Sequence, residues 1–238
     1  MQNTEKFLIQ TFGRRKGKAL TRHQQNLVDN LLPLITTMPG GATLSQGRLS
    51  NAILEIGFGS GEHLLHLARN NPETLIIGAE PYVNGVASLL SAMTKDKWTE
   101  GQMDIIKPEY KNIRIWPDDV RKLLSACPLP SAFCPDFGFA KIYILHPDPW
   151  PKARHEKRRL MNAEFLIELS EYLTPGGQII FGTDHTDLFE WTLIQARNTK
   201  YKIRNKNFTQ APESGLDTRY REKNKFGSPC PAYLVLEK

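Results

Sequence analysis

The chain of 238 residues is 40% hydrophobic and 24% charged, which is typical of a soluble globular protein with one large α/β domain or two small ones. No apolar run approaches the length that crosses a membrane, and the N-terminus lacks the apolar core of a signal peptide. The formal net charge of +6 favours a polyanionic partner, although many basic proteins bind no nucleic acid.

The chain begins with a basic arm. Within residues 1–20, Arg14, Arg15 and Lys16 lie between Gly13 and Gly17, and Lys18 follows directly. Such a segment is either a solvated tail or a grip on phosphates. Residues 27–35 predict a short helix interrupted by Pro33, and residues 36–50 predict a linker. We therefore expect an N-terminal arm and linker over residues 1–50 and the main domain over residues 51–238.

The rest of the chain is organised around residues 51–61, with the sequence NAILEIGFGSG. An apolar run of strand length ends at Glu55, the glycines Gly57, Gly59 and Gly61 follow, and amphipathic helical sequence comes next. Glycines let the backbone approach a ligand, and a helix N-terminus offers free N–H groups, so this order predicts a nucleotide-sized site. A second apolar run, residues 75–78, precedes Glu80, whose carboxylate can accept both hydroxyls of a ribose.

Two cofactors compete for this geometry. A dinucleotide site prefers the spacing G-x-G-x-x-G, whereas this chain has G-x-G-x-G. Glu55 lies two residues before the first glycine, where an acid would repel a pyrophosphate but attract the ammonium group of a methionine moiety. The spacing therefore favours S-adenosylmethionine over NAD. A tight turn without a ligand is the third alternative.

After this turn, strands and helices alternate. The predicted helices cover residues 62–70, 83–93, 120–126 and 162–173, and the predicted strands cover residues 75–78, 113–116, 141–145, 178–182, 201–208 and 233–236. This alternation predicts a parallel sheet with helices on both faces, in which ligands bind beyond the carboxyl ends of the strands. Five acids follow the first five strands: Glu55, Glu80, Asp118, Asp148 and Asp184.

The cysteines and histidines predict no metal site. Cys127, Cys134 and Cys230 lack metal-ligand spacing, and the six histidines are scattered. We interpret the three cysteines as reduced thiols of a cytoplasmic protein.

A second motif, HPDPWPKARHEKRR, covers residues 146–159. Three prolines around Asp148 predict a stiff turn that fixes the direction of its carboxylate. Trp150 offers a flat surface for stacking a base or bracing the loop. Cations at a helix start oppose the helix dipole, so a phosphate-binding role explains them better than a solvated helix start does. They are Lys152, Arg154, Lys157, Arg158 and Arg159.

Taken in order, LEIGFGSG, the acid of GAEP, PDPWPKARHEKRR, GTD and TRYR resemble the bacterial tRNA (guanine-N7-)-methyltransferase family. The resemblance runs from about Phe12 to the C-terminus. It implies a Rossmann-like α/β class I methyltransferase fold over residues 51–238, with a mostly parallel seven-stranded sheet whose last strand is antiparallel. It also implies an enzyme that transfers a methyl group from S-adenosylmethionine to N7 of a guanine in the tRNA variable loop.

The resemblance assigns roles to individual residues. Glu55, Glu80 and Asp118 match the cofactor-binding acids beside the turn glycines, and Asp148, next to the cofactor, matches the proposed catalytic aspartate. His146 stands where the family often has an aromatic residue. The implied RNA contacts are Lys152, Arg154, His155, Lys157, Arg158, Arg159 and Asp184, followed by Thr218, Arg219, Tyr220 and Arg221. The last four match a T-[KR]-[FY]-E motif in which Arg221 replaces the Glu; the nearby Glu222 is a candidate substitute.

The chemistry of guanine shapes the mechanistic hypothesis. N7 carries an in-plane lone pair and needs no deprotonation, so the enzyme requires alignment and electrostatics more than a general base. We expect the Asp148 carboxylate to accept hydrogen bonds from guanine N1–H and the exocyclic amine, with Asp184 as the alternative. The rival functions are a small-molecule methyltransferase, a non-catalytic tRNA-binding protein and an NAD-dependent oxidoreductase.

Overall fold

The computed structural model describes residues 9–37, 51–95, 105–126, 138–205 and 232–238. All three cysteines and the motif formed by Thr218, Arg219, Tyr220 and Arg221 lie outside these ranges. The predicted linker beyond residue 37 and the end of the predicted strand 201–208 also lie outside them.

Seven helices of the α type lie in the described residues: α1 (Arg22–Asn26), α2 (Leu32–Ile35), α3 (Glu62–Asn70), α4 (Val83–Met93), α5 (Val120–Ala126), α6 (Ala163–Tyr172) and α7 (Thr186–Arg197). A π-helical turn, Leu27–Leu31, joins α1 to α2, and 3₁₀ turns cover Pro108–Tyr110 and Ala153–Arg158. Thr21 begins α1 with a capping box that involves Gln24. The sequence predicts that Pro33 interrupts this helix. Instead, the chain widens into the π-helical turn just before Pro33, and helical structure continues through Pro33 as α2.

The seven described strands form one sheet. They are β1 (Ala52–Ile56), β2 (Ile76–Ala79), β3 (Ile113–Trp116), β4 (Phe139–Leu145), β5 (Leu173–Thr183), β6 (Lys202–Asn205) and β7 (Ala232–Glu237). Their spatial order is β3-β2-β1-β4-β5-β7-β6, with β7 antiparallel to both of its neighbours and the remaining pairs parallel. The predicted fold class is confirmed. The strand order reverses between β1 and β4, where sheets of this kind bind ligands.

Apolar side chains cover both faces of the sheet. Alternation along β1 sends Leu54 to the layer beneath α5, α6 and α7, and Ile53 to the layer beneath α3 and α4. The N-terminal helical segment joins the second layer through Leu27 and Leu31, which are fully buried. Both layers position the carboxyl edge of the sheet, where the candidate site lies.

The predicted helices α3, α4 and α5 begin and end at the expected residues, but α7 was not predicted. Its buried face includes Thr192 and Ala196 beside Leu188 and Phe189, which weakens the apolar pattern. Its N-cap is His185, whose ring nitrogen accepts the hydrogen bond from Leu188 N, in place of the usual Ser, Thr, Asp or Asn. Among the described residues, none of the helices is long and apolar enough to span a membrane.

Candidate active site

The glycine turn after β1 adopts a conformation that requires glycine. Gly57 and Gly59 have φ values of 78° and 57°, in the left-handed region that is costly for other residues. A Cβ built on Gly57 would meet no atom within 4 Å, so the turn leaves open space on its outer side. Gly61 occupies the N-cap position of α3. The backbone of the turn is therefore accessible to a ligand.

Glu80 follows β2 and links this turn to the start of α4. Its Oε2 accepts a hydrogen bond from Gly59 N at 2.8 Å, and its Oε1 accepts one from Tyr82 N at 2.8 Å. The side chain is largely buried, and this burial raises the pKa of Glu80 despite the two backbone donors. Each oxygen keeps a lone pair for a further donor.

A cavity of about 570 Å³ lies beyond the carboxyl ends of the central strands. Gly57, Gly59 and Glu80 line it on one side, and Asp148 lines it on the other. The volume falls in the range of small-molecule sites in proteins. The structure thus brings together the glycine turn, one predicted cofactor acid and the predicted catalytic aspartate.

Glu55 does not line this cavity. Its side chain is 3% exposed, and its Oε2 lies 3.2 Å from His63 Nδ1 of α3. The distance is that of an ion pair, but the two atoms lack hydrogen-bond geometry, and neither has another hydrogen-bond partner in the described residues. The ring of His63 in turn contacts Tyr143 edge-on at 4.9 Å. Glu55 therefore lies behind the glycine turn.

Asp118 also lies outside the cavity lining, whereas its neighbour Asp119 belongs to it. Asp118 pairs with Arg15 at 3.1 Å and with Lys122 at 2.7 Å. Partial burial would raise the pKa of Asp118, but the hydrogen bond from Lys122 and these cations lower it. Asp119 is buried and accepts two hydrogen bonds from the Arg121 guanidinium, at 2.9 and 2.7 Å, and a third from Arg121 N at 3.0 Å. The prediction chose Asp118 instead of Asp119, because the spacing of residues after a strand does not distinguish two adjacent acids.

The loop after β4 is strained at both ends. His146 and Trp150 have φ values of 51° and 42°, in a region that bulky residues seldom occupy. Between them, Asp148 places Oδ2 only 3.1 Å from the ideal Cβ position of Gly13. Asp148 as a whole residue is exposed at the cavity mouth, but partial burial of its carboxyl raises its pKa. The predicted stiff turn is present, and it presents this carboxylate to the cavity.

His146 and Asp184 meet at the wall of the cavity. The His146 side chain is 3% exposed, and its Nδ1 lies 3.6 Å from Asp184 Oδ1. Burial lowers the pKa of His146, and the Asp184 carboxylate opposes this effect. Of the two, only His146 lines the cavity.

The cationic block divides into two groups. Lys152, Arg154 and Lys157 are exposed. The guanidinium of Arg158 instead lies over the rings of Phe12, at 5.1 Å, and Trp150, at 5.0 Å. Arg159 is buried. His155 contacts the Trp150 ring edge-on at 5.7 Å, so part of this block supports the loop itself.

The N-terminal arm packs across the edge of the sheet. Val83 N donates to Arg15 O at 3.1 Å, and Asn84 bonds both Gly17 N and Lys18 O at 2.7 Å. Thr11, Phe12, Gly13 and Arg14 close one side of the cavity. Apart from the glycines at positions 13 and 17, no local pattern of the sequence indicates this packing.

These residues fit a nucleoside with a cationic substituent better than they fit a metal ion. The open backbone at Gly57 and the Glu80 carboxylate suit an adenosine group with free hydroxyls. No group of three or more His, Cys, Asp or Glu within the described ranges has an arrangement that could hold a metal.

Comparisons with known proteins agree with this geometry. Residues 50–227 match a family model described as "Putative methyltransferase". The tRNA (guanine-N(7)-)-methyltransferase of Caulobacter vibrioides is 36% identical over 231 residues, which cover 95% of this chain and 93% of that protein. The protein of the same name from Novosphingobium aromaticivorans is 38% identical over 220 residues, covering 89% and 87%. A crystal structure of the 16S rRNA methyltransferase KamB matches with a TM-score of 0.53 and 15% identity, over 81% of this chain and 88% of that one, and this likeness shows the fold.

Proposed function

The chain belongs to the tRNA (guanine-N(7)-)-methyltransferase family, and from this premise we propose that it methylates a guanine of the tRNA variable loop with S-adenosylmethionine as donor. It is a methyltransferase that acts on N7 of guanine in tRNA, because its similarity to enzymes of that name covers nearly the whole chain. An NAD-dependent oxidoreductase and a non-catalytic RNA-binding protein are thereby set aside. A cytoplasmic location stays a prediction.

The observation that carries the proposal is the cavity between Glu80 and Asp148. S-adenosylmethionine would supply a methyl group on a positively charged sulfur. Glu80 would accept the ribose hydroxyls with the lone pairs that its two backbone donors leave free. Gly57 and Gly59 would allow close backbone approach, and Gly61 would hold the start of α3. Glu55 and Asp118, which do not line the cavity, are assigned supporting roles behind it.

Asp148 is the better candidate for holding the guanine. Its carboxylate lies at the cavity mouth, whereas Asp184 lies behind His146 and does not line the cavity. An ionised carboxylate can accept hydrogen bonds from N1–H and the exocyclic amine and stabilise the positive charge that develops on the purine. The stiff loop supplies orientation before the substrate arrives, which is where such an enzyme gains its rate.

Phosphate binding falls to the exposed cations around the cavity. Arg14 and Lys157 line its rim, and Lys152 and Arg154 lie on the same loop. Lys16 and Lys18 extend the positive surface along the arm. Cations at these points can hold the phosphates on either side of a guanine while its base enters the cavity.

Nucleoside mass spectrometry tests the proposal. An unmodified tRNA transcript incubated with the protein and S-adenosylmethionine should yield 7-methylguanosine. Asp148→Asn removes the charge and should lower kcat about 10²–10³-fold, the scale of one preorganised electrostatic contact, with cofactor binding retained. Asp187→Asn, an exposed acid on α7, is the matched control and should behave as wild type. Methylation of another nucleoside, or full activity of Asp148→Asn, would refute the proposal.

A further inference from the structure

Arg159 ends the cationic run of residues 152–159, but its surroundings differ from those of the exposed members. Its side chain is only 8% exposed, whereas Arg154, five residues earlier, is exposed to solvent. A phosphate of a bound RNA needs a cation at the surface. Arg159 lies in the wall of the cavity, and its low exposure points to contacts within the protein instead of contacts with a phosphate at the surface.

Two contacts fix the Arg159 side chain. Its Nε donates a hydrogen bond to Pro149 O at 3.1 Å, and its guanidinium lies over the ring of Trp191 of α7 at 5.2 Å. Glu156 Oε1 lies 3.8 Å from Nη1, a loose ion pair. The planar guanidinium stacks and donates at once, which a lysine ammonium cannot reproduce.

The accepting carbonyl belongs to the peptide that joins Pro149 to Trp150. Trp150 has a φ of 42°, and a bulky residue persists in this strained region only where the surrounding structure holds it there. The Nε hydrogen bond fixes the orientation of this peptide directly after Asp148 and its proline. Arg158 packs on the Trp150 ring from another side. Arg159 thus holds the peptide that precedes Trp150, and Arg158 holds the Trp150 ring.

We propose that Arg159 is a positioning residue, which sets the direction of the Asp148 carboxylate through the Pro149 carbonyl and Trp191 and does not contact RNA phosphates. The inference rests on the proposed function, because the direction of this carboxylate matters only if Asp148 orients the methyl acceptor. A misplacement of about 1 Å at a reacting centre can cost 10²-fold in rate. The loss should therefore appear in the chemical step and leave RNA affinity intact.

The test compares Arg159→Lys and Arg159→Gln with Arg154→Gln. Single-turnover methyl transfer, with enzyme in excess and both ligands saturating, gives a rate constant that does not depend on the fraction of folded enzyme. Both Arg159 variants should lower this constant about 10–100-fold, with the salt dependence of tRNA binding unchanged. Arg154→Gln, which removes an exposed cation of the same run, should flatten the slope of log K against log salt by about 0.7–0.9, and this is the change expected when one phosphate contact is lost.

Three outcomes would overturn the inference. If Arg159→Gln flattens the salt slope as Arg154→Gln does, Arg159 is a phosphate contact. If both Arg159 variants melt earlier but keep the wild-type rate constant, the side chain only stabilises the fold. If Arg159→Gln does not fold, Arg159→Lys, which keeps the charge, still gives the single-turnover rate constant that the inference predicts. A wild-type protein that methylates no tRNA would refute the proposed function itself, and this inference with it.

Discussion

The close approach of α4 to the glycine turn gives the sharpest structural prediction. An ideal Cβ on Gly85 would lie 2.3 Å from the carbonyl oxygen of Gly59, whereas real Cβ atoms essentially never come within 3.0 Å of another heavy atom. Gly85→Ala must therefore push the helix and the turn apart. The obstacle is backbone on both sides, so no side chain can rotate away. The same peptide region donates to Glu80 through Gly59 N.

Two opposing effects decide the sign. Alanine in a helix interior gains up to about 1 kcal/mol over glycine from propensity. Overpacking in a well-packed region costs about 1–3 kcal/mol, and a clash between backbone atoms belongs at the upper end of that range. The net result should be a loss of about 1–2 kcal/mol, and each kcal/mol lowers Tm by about 2–4 °C in a chain of this size.

Displacement of Gly59 should also weaken the cofactor site. Gly59 N holds the Glu80 carboxylate, so its displacement should turn Glu80 away from the ribose hydroxyls. Losing a hydrogen bond between the ribose and this charged group costs about 1.5–3 kcal/mol, so the Kd for S-adenosylmethionine should rise at least about tenfold. Thermal unfolding and calorimetric titration measure both effects. Ser88→Ala, one turn further along α4 and only partly buried, is the matched control and should keep the wild-type Kd. A Gly85→Ala protein that melts at or above the wild-type Tm with unchanged affinity would refute the reasoning.

Two further predictions concern titratable groups. Glu80→Gln should weaken S-adenosylmethionine binding by about 1.5–3 kcal/mol in calorimetry, the range for hydrogen bonds to a charged group, and an unchanged Kd would remove Glu80 from the site. Burial lowers the pKa of His146, against the opposing charge of Asp184, so below about pH 6.5 the unfolded chain binds a proton that the folded protein refuses. The wild type should thus lose stability from pH 7 to 5.5, and His146→Phe should lose less over that interval; equal losses in denaturant titrations would contradict this.

Local sequence patterns predicted the central elements of the fold, because residues close in sequence determine where these elements begin and end. The glycine turn, α3 and α4 each combine apolar periodicity with glycine or helix-start signals close in sequence. By contrast, the pattern of α7 is weak, because its buried face includes Thr192 and its N-cap is a histidine. The pattern also placed the acids at the correct edge of the sheet.

Sequence could not tell which acid reaches the cavity. Neighbouring residues at a strand end point in different directions, so a shift of one position separates Asp118 from Asp119 and leaves Glu55 facing His63. Composition likewise could not separate surface cations from Arg158 and Arg159, whose partners are distant in sequence or across a turn. These distinctions arise from tertiary packing, which no local spacing encodes.

A tRNA carrying 7-deazaguanosine at the variable-loop guanine tests the central claim most directly. This base keeps N1–H and the exocyclic amine but replaces the N7 lone pair with C–H, so it should still bind the protein. The unmodified tRNA should accept one methyl group per molecule, and the 7-deaza tRNA should accept none while binding with similar affinity. Continued methylation of the 7-deaza tRNA at the unmodified rate would contradict transfer to N7 at that position.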